Sequence, residues 1–147
     1  MAEKNMEIIH KEIDLIQNCI NRMAQNSFLL KGWTVSLVAV VIALAKDFNF
    51  MYLCLLLLLP VICFWYLDAF FLRTEKLYRK MYEWVIKNRN TTDDYLYDLN
   101  PHRFKKEVPC EFCTMFSKTL RVFYGIPAIA LIAGFIYSSV YANCSLI

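Results

Sequence analysis

Few side chains in this chain have the types and spacing that chemistry requires. Cys110 and Cys113 form a C-x-x-C motif, and this spacing places both thiols on one face of a helix. With His102 they would give a metal ion three ligands, whereas a structural zinc site usually has four, so ordinary packing is the favoured interpretation. The chain has one further histidine, His10, and no Walker, G-x-S-x-G or H-E-x-x-H motif. We therefore expect no enzyme activity, no catalytic or metal site and no cofactor.

The other candidate residues are two charges, Lys31 and Asp68, which lie in or beside long apolar segments. Residues 28–45 and 48–67 are almost entirely apolar, and the second segment carries no charge. About 20 apolar residues in a helix cross the ~30 Å hydrocarbon core of a bilayer. Only a short break separates the two segments. The sequence therefore predicts a transmembrane helical hairpin over residues 28–72.

Folding this hairpin about a tight turn at Lys46 and Asp47 brings Lys31 level with Trp65. Lys31 is then about one helical turn deeper than Asp68, at ~1.5 Å rise per residue. A lysine inside a membrane extends its ammonium group towards the nearer surface, which is here the direction of Asp68. A salt bridge at the membrane rim follows from this register. The alternative, in which each charge reaches the lipid headgroups alone, stays open.

A third apolar segment covers residues 122–142 and carries no charge. We predict that it is a third transmembrane helix, followed by a short tail at residues 143–147 outside the cytosol. Small side chains recur along it and along the first span, and such residues let helix backbones approach closely in lipid. These candidate helix-packing residues, within or between subunits, are Gly32, Ser36, Ala39, Ala43, Ala130, Gly134 and Ser138.

Residues 1–27 predict an amphipathic helix ahead of the first span. Its apolar residues alternate at spacings of three and four, as on the contact face of a coiled coil: Met6, Ile9, Ile13, Ile16, Ile20 and Met23. Because no strong helix breaker separates this segment from the span, one continuous helix is expected. Two interpretations of the apolar face stay open: packing on the same chain, or a seam between copies.

Positive charge is distributed unevenly along the chain. Eleven of the sixteen lysine and arginine residues lie between Arg73 and Arg121, and none follows Arg121. Since such an excess marks cytoplasmic segments, residues 1–27 and 73–121 are predicted to lie in the cytosol. The candidates for contact with lipid or a partner are Arg73, Lys76, Arg79, Lys80, Arg103, Lys105 and Lys106. Anionic lipid, an acidic protein or nucleic acid would fit this region. The cytosolic location alone would also explain the excess of basic residues.

Two stretches carry a resemblance to a known family: EIDLIQNCINRMAQNSFLLKGWTVSLVAVVIAL, which enters the first span, and WYLDAFFLRTEKLYRKMY, which leaves the second. They resemble a family of small bacterial inner-membrane proteins that act as effectors beside anti-phage systems, notably retrons. The resemblance covers about residues 12–89 and transfers no functional residue. It implies a multi-pass inner-membrane protein and a soluble partner complex, in which a reverse transcriptase with its DNA–RNA hybrid restrains a toxic protein until infection.

The chain is therefore expected to be an all-α integral membrane protein. It should have three transmembrane helices, an amphipathic N-terminal helix, and a basic cytosolic helical region between spans two and three. With the resemblance, the expected function is that of a toxic effector, which oligomerises and permeabilises or depolarises the inner membrane when its partner releases it. A non-toxic scaffold or subunit that anchors a soluble partner is the alternative. A transporter is disfavoured, because the spans show no inverted repeat and no charge at the midplane.

Overall fold

A computed structural model describes residues 2–44 and 49–144 of the chain. The backbone alone is described at the ends of these ranges, for residues 2–5, 44 and 141–144. The tight turn predicted at Lys46 and Asp47 lies outside the described residues, as do the last three residues of the predicted tail. Every regular element within the two described ranges is a helix.

Two long helices form a pair that runs through most of the molecule. Helix α1 covers Ala2–Leu44 and helix α2 covers Phe50–Asn88. At ~1.5 Å per residue each is about 60 Å long, which is twice the ~30 Å core of a bilayer. α1 is continuous because its one glycine, Gly32, costs only about 1 kcal/mol in a helix interior. Asn49 caps α2 by accepting a hydrogen bond from the backbone N–H of Met51 at 3.1 Å.

A compact connection follows α2. It contains a short 3₁₀ helix, Pro101–Phe104, and helix α3, Glu111–Met115, and both pack against α2. In the loop ahead of them, Tyr95 and Tyr97 have positive φ angles of 59° and 60°. This left-handed conformation costs a non-glycine residue about 1–3 kcal/mol, so neighbouring contacts must hold the loop in place.

The third long helical run consists of three consecutive pieces. Helix α4 (Lys118–Leu120) leads into a π-helical turn (Arg121–Gly125), and helix α5 (Ile126–Cys144) follows directly. Pro127 gives the physical reason for the wider turn. It has no N–H to donate to the carbonyl one turn earlier, and its ring needs extra space there.

Two apolar clusters hold these helices together. The first lies where α1 begins and α2 ends, and its buried residues are Ile16, Leu77, Met81, Val85, Phe104 and Val108. We call this end of the molecule, residues 6–26 and 73–120, the polar end. Ile13 and Ile20 also pack against the cluster, and Ile16 is 1% exposed. The middle of the N-terminal apolar face therefore packs on the same chain, whereas Met6 of that face is 52% exposed. A seam between copies stays a prediction.

The second cluster joins α2 to the third helical run, through Val61, Ala69, Leu120, Tyr124 and Ala128. Three helices are long and apolar enough to cross a membrane: Met6–Ala43, Phe50–Asn88 and Lys118–Val140. Large apolar side chains on them point outward, with Leu56 67% exposed and Leu59 69% exposed. The prediction of an all-α chain with three apolar helices of spanning length is confirmed. These are the features of a membrane protein.

Candidate functional site

A cluster of polar side chains lies between α1 and α2, inside the apolar part of the molecule. Lys31 Nζ lies 2.6 Å from Asp68 Oδ2, and the Asp68 side chain is completely buried. The Ser27 hydroxyl donates a hydrogen bond to Asp68 Oδ1, and Lys31 Nζ donates to Ser27 Oγ at 2.8 Å. Oδ2 therefore has an ionic partner on α1, and Oδ1 has a hydrogen-bond partner there. The structure thus brings together the two residues proposed for the membrane-rim pair.

The helix period explains why these side chains meet. Ser27, Lys31 and Thr34 follow one another at spacings of four and three, so they share the face of α1 that contacts α2. Thr34 is buried, and its hydroxyl donates to the carbonyl oxygen of Leu30 at 2.8 Å. On α2, Asp68 has the fully buried Ala69 beside it. Ala69 belongs to the second apolar cluster, so the carboxylate lies next to apolar packing.

Tyr124 brings the third helical run to the same cluster. Its side chain is completely buried, and its hydroxyl lies beside Thr34 and Asp68 without a directed hydrogen bond to any described residue. Trp65 of α2 stacks on the Tyr124 ring, with a centroid distance of 6.3 Å and an interplanar angle of 13°. Trp65 Nε1 also donates to the carbonyl oxygen of Met115 at 2.8 Å. All three long helical segments therefore meet at the Lys31–Asp68 pair.

Burial of the charged groups in this cluster costs hydration free energy. A buried carboxylate loses several kcal/mol of hydration, and only a close partner with additional hydrogen bonds offsets the loss. Asp68 has the Lys31 ammonium group and the Ser27 hydroxyl. Lys31 keeps 22% of its side chain exposed, so its own desolvation is smaller. Removal of the lysine would leave an uncompensated buried charge, which is the more damaging change.

The predicted small-residue row on α5 faces α2. A Cβ atom added at Gly134 would lie 3.2 Å from a ring carbon of Phe50 and 3.3 Å from Cys54 Sγ. Ser138 is half-buried, whereas Ala130 remains exposed beside a groove that Phe50 also lines. The contact at Gly134 therefore lies within one chain, and a larger side chain there would have to displace Phe50 or Cys54.

The predicted small-residue row on α1 points away from the rest of the chain. Gly32, Ser36, Ala39 and Ala43 are all exposed. A Cβ atom added at Gly32 would meet nothing within 4 Å in the part of the chain that the structure describes. Within residues 2–44 and 49–144, this row lies on the exposed side of α1. Any role in packing would have to involve another molecule.

Several of the predicted basic contact residues already have partners in the chain. Arg73 pairs with Glu111 at 2.7 Å and also donates to the carbonyl oxygen of Pro109 at 3.0 Å. Two further ion pairs lie along α2, between Arg79 and Glu75 at 2.7 Å and between Lys80 and Glu83 at 2.8 Å. The exposed lysines of the predicted set are Lys76, Lys105 and Lys106.

Arg103 occupies a different environment from the one the sequence suggests. Its guanidinium carbon lies over the rings of Trp84, Tyr95 and Phe104, at 4.8, 4.5 and 5.1 Å from their centroids. Its three side-chain nitrogens are buried and have no hydrogen-bond partner among the described residues. This aromatic enclosure stabilises the cation through the ring faces. The position does not suit the predicted surface contact with phosphate or lipid.

Sequence reasoning missed a buried ion pair at the polar end, between Glu12 and Arg89. Both side chains are 2% exposed, and two bonds join them: Nη2 to Oε1 at 2.5 Å and Nε to Oε2 at 2.7 Å. Arg89 Nη1 also donates to the carbonyl oxygens of Thr92 and Asp94. The available signal was spacing, since Glu12 precedes Ile16 by four residues and therefore shares its buried face.

Cys110 and Cys113 lie at the start of α3, and both are exposed. Their sulfur atoms are 2.7 Å apart. His102 does not join them, since within residues 2–44 and 49–144 no three histidine, cysteine, aspartate or glutamate side chains are grouped as metal ligands. The pair is therefore a dithiol on the surface of the polar end.

Comparison of the chain with protein-family models, curated proteins and solved structures finds no match. The resemblance to retron-associated effectors therefore stays a prediction.

Proposed function

We propose that this chain is a membrane effector of a bacterial anti-phage system of the retron type, organised around the Lys31–Asp68 ion pair. The observation that carries the proposal is the complete burial of Asp68 between helices whose outer surfaces are apolar. Ionisable side chains inside membrane-spanning helices are costly, and those that occur generally mark functional sites. Here the pair orders three helices into one unit, which is the building block of an assembly.

In this proposal the chain is a multi-pass protein of the bacterial inner membrane, with its polar end in the cytosol and its C-terminus in the periplasm. The supporting observation is charge, because eleven of sixteen basic residues lie between Arg73 and Arg121. The lengths of α1 and α2 agree, since each helix is about twice as long as a bilayer core is thick. The amphipathic N-terminal helix and the basic helical region then form the cytosolic part.

The proposed activity is permeabilisation or depolarisation of the membrane by associated copies. Helices associate in lipid through close backbone packing, since lipid provides no hydrophobic drive for their contact. The α1 row from Gly32 to Ala43 is exposed and has small side chains. A second copy that packs on this row would keep each Lys31–Asp68 unit intact while it brings several units together.

Restraint is proposed to come from a soluble partner, which in a retron-like system is a reverse transcriptase with its DNA–RNA hybrid. The support is the set of exposed lysines at the polar end: Lys76, Lys105 and Lys106. These three lysines are exposed to solvent, whereas Arg73, Arg79 and Lys80 are each paired with a carboxylate. Phosphate groups or acidic side chains of the partner would contact these three lysines.

A non-toxic scaffold is the second candidate, and one observation favours it. The Glu12–Arg89 pair and the apolar cluster around Ile16 fix the polar end as a single packed unit. Such a fixed surface is suited to hold a soluble partner at the membrane without any activity in the bilayer.

Expression of the chain alone in a bacterium separates the two functions. The effector proposal predicts growth arrest and loss of membrane potential, followed with a potential-sensitive dye, soon after induction. The scaffold predicts normal growth and an unchanged potential at the same amount of protein in the membrane fraction. Harmless accumulation at that level would contradict the effector proposal.

A further inference from the structure

We propose that Cys110 and Cys113 form a redox-active dithiol, which exchanges electrons with low-molecular-weight disulfides such as glutathione disulfide. The proposal is independent of the proposed membrane activity. It rests on the position of the two sulfurs and on the groups that surround them at the polar end.

The geometry joins the two thiols directly. Cys110 Sγ and Cys113 Sγ lie 2.7 Å apart, and the backbone N–H of Cys113 donates a hydrogen bond to Cys110 Sγ at 3.2 Å. Cys110 precedes α3 with an extended backbone, at φ −64° and ψ 166°, which turns its side chain back over the first turn. Each sulfur can therefore reach the other without a change of fold. Because both residues are exposed, a disulfide from solution can reach them as well.

The surroundings make the two sulfurs unequal. The contact with the Cys113 side chain lowers the pKa of Cys110, as do the backbone N–H groups of Cys113 and Phe112 and the positive charge of Arg73. Arg73 is held near the motif by its bonds to Glu111 and to the carbonyl oxygen of Pro109. The pKa of Cys113 is raised, chiefly by the contact with the Cys110 side chain. Cys110 is therefore the attacking thiolate, since only the thiolate form of cysteine is a good nucleophile.

The reaction balances as a two-step exchange. The Cys110 thiolate attacks one sulfur of glutathione disulfide, a mixed disulfide forms at Cys110, and the first glutathione leaves as a thiolate. Cys113 then loses its proton and attacks Cys110 Sγ, and the second glutathione leaves. The protein loses two electrons and the disulfide gains them. The two protons of the protein thiols end on the two glutathione molecules.

The test uses the full chain in detergent micelles, equilibrated with reduced and oxidised glutathione at a series of ratios. Acid quenching, alkylation and peptide mass spectrometry then measure the free thiols at positions 110 and 113. We expect both thiols to disappear together as the buffer becomes oxidising. Cys19, a half-buried cysteine of α1 at the polar end, is the internal control for general oxidation. If both thiols stay fully alkylatable in oxidised glutathione alone, or disappear only in step with Cys19, the proposal is wrong.

Single variants test which cysteine attacks. Cys113→Ser should accumulate a glutathione adduct at Cys110, because no second thiol is present to release it. Cys110→Ser should form its adduct at Cys113 several-fold more slowly near neutral pH, since the Arg73 charge that favours a thiolate acts on position 110. Equal rates, or faster modification of Cys113, would overturn the assigned roles. A slow Cys110→Ser variant with normal helical circular dichroism supports them.

Discussion

The carboxylate of Glu12 and the guanidinium group of Arg89 face each other through two hydrogen bonds, although the residues are 77 positions apart in the chain. This contact joins the start of α1 to the end of α2. The same arginine also donates to two carbonyl oxygens of the following loop, in which Tyr95 and Tyr97 adopt positive φ angles. One buried side chain thus connects both long helices to a loop that is conformationally costly.

Disruption of this pair should destabilise the polar end. Glu12→Ala leaves the buried Arg89 without its partner, and such a change typically costs about 3–5 kcal/mol. Thermal unfolding of the full chain in detergent, followed by circular dichroism, measures the effect. The matched control is Glu75→Ala, which removes the partner of the 62% exposed Arg79 and should cost at most about 0.5 kcal/mol. Equal destabilisation by the two variants would show that the buried pair contributes no more to the free energy of unfolding than the exposed pair does.

Gly32 of α1 and Gly134 of α5 should respond in opposite ways to a large side chain. Gly134→Leu places atoms against Phe50 and Cys54, so these side chains or α5 itself must shift. Toxicity should be lost, while membrane insertion remains because leucine is apolar. Gly32→Leu meets no described atom of its own chain within 4 Å. It should raise the stability of the single chain by up to about 1 kcal/mol, because leucine replaces a glycine inside a helix, and it should reduce crosslinking between copies.

Crosslinking in membranes and unfolding in detergent distinguish these effects. If Gly32→Leu crosslinks as well as the parent, the exposed row on α1 does not join copies. If Gly134→Leu is as toxic as the parent, the contact between α5 and α2 is not needed for activity.

The register of a hairpin could be predicted from the sequence, but contacts that depend on the third helix could not. The meeting of Lys31 with Asp68 follows from the rise of a helix and from the position of a short break between two apolar segments. Tyr124 reaches the same site through a π-helical turn ahead of Pro127. The spacing of apolar residues does not predict that turn, and it does not predict the direction in which the third segment packs. Tyr124 therefore appeared only as part of an uncharged segment.

The polar end shows a second limit of sequence reasoning. Charged residues such as Glu12, Arg89 and Arg103 look like surface residues, since burial of a charge without a partner is costly. Their partners lie in distant elements: Glu12 binds across to Arg89, and Arg103 packs among aromatic rings. A single sequence gives the residue types but not these pairings. The apolar stripe through Ile16 was visible, but the surface that covers it was not.

The proposed contact with a DNA–RNA hybrid can be tested with the exposed lysines. Reversal of charge at Lys76, Lys105 and Lys106 should weaken binding of a fluorescent hybrid and lower its salt dependence, with the slope falling by about 0.9 for each phosphate group that is no longer neutralised. Arg79→Glu is the control, because Arg79 already pairs with Glu75. Fluorescence anisotropy at several salt concentrations gives both quantities. Identical slopes for parent and triple variant would exclude these lysines as phosphate-binding residues.

Orientation in the membrane is tested with reporter fusions. A reporter that works only in the cytosol should be active when fused at the N-terminus or after Asn90, and a periplasmic reporter should be active after the C-terminus. The reason is the excess of basic residues before and between the spans. An active cytosolic reporter at the C-terminus would contradict both the orientation and the three-span arrangement.

The ion pair between Lys31 and Asp68 is the centre of the account, and a charge exchange tests it most directly. The measurement is membrane depolarisation after induction, at matched protein levels, for Lys31→Ala, Asp68→Ala and the double variant Lys31→Asp/Asp68→Lys. We expect each single variant to lose most of the depolarisation of the parent, because a buried charge or its partner is missing. The exchanged pair should restore part of it, although Ser27 then faces an ammonium group instead of a carboxylate. Depolarisation by both single variants at the parental level, or a double variant no better than either single one, would contradict the account.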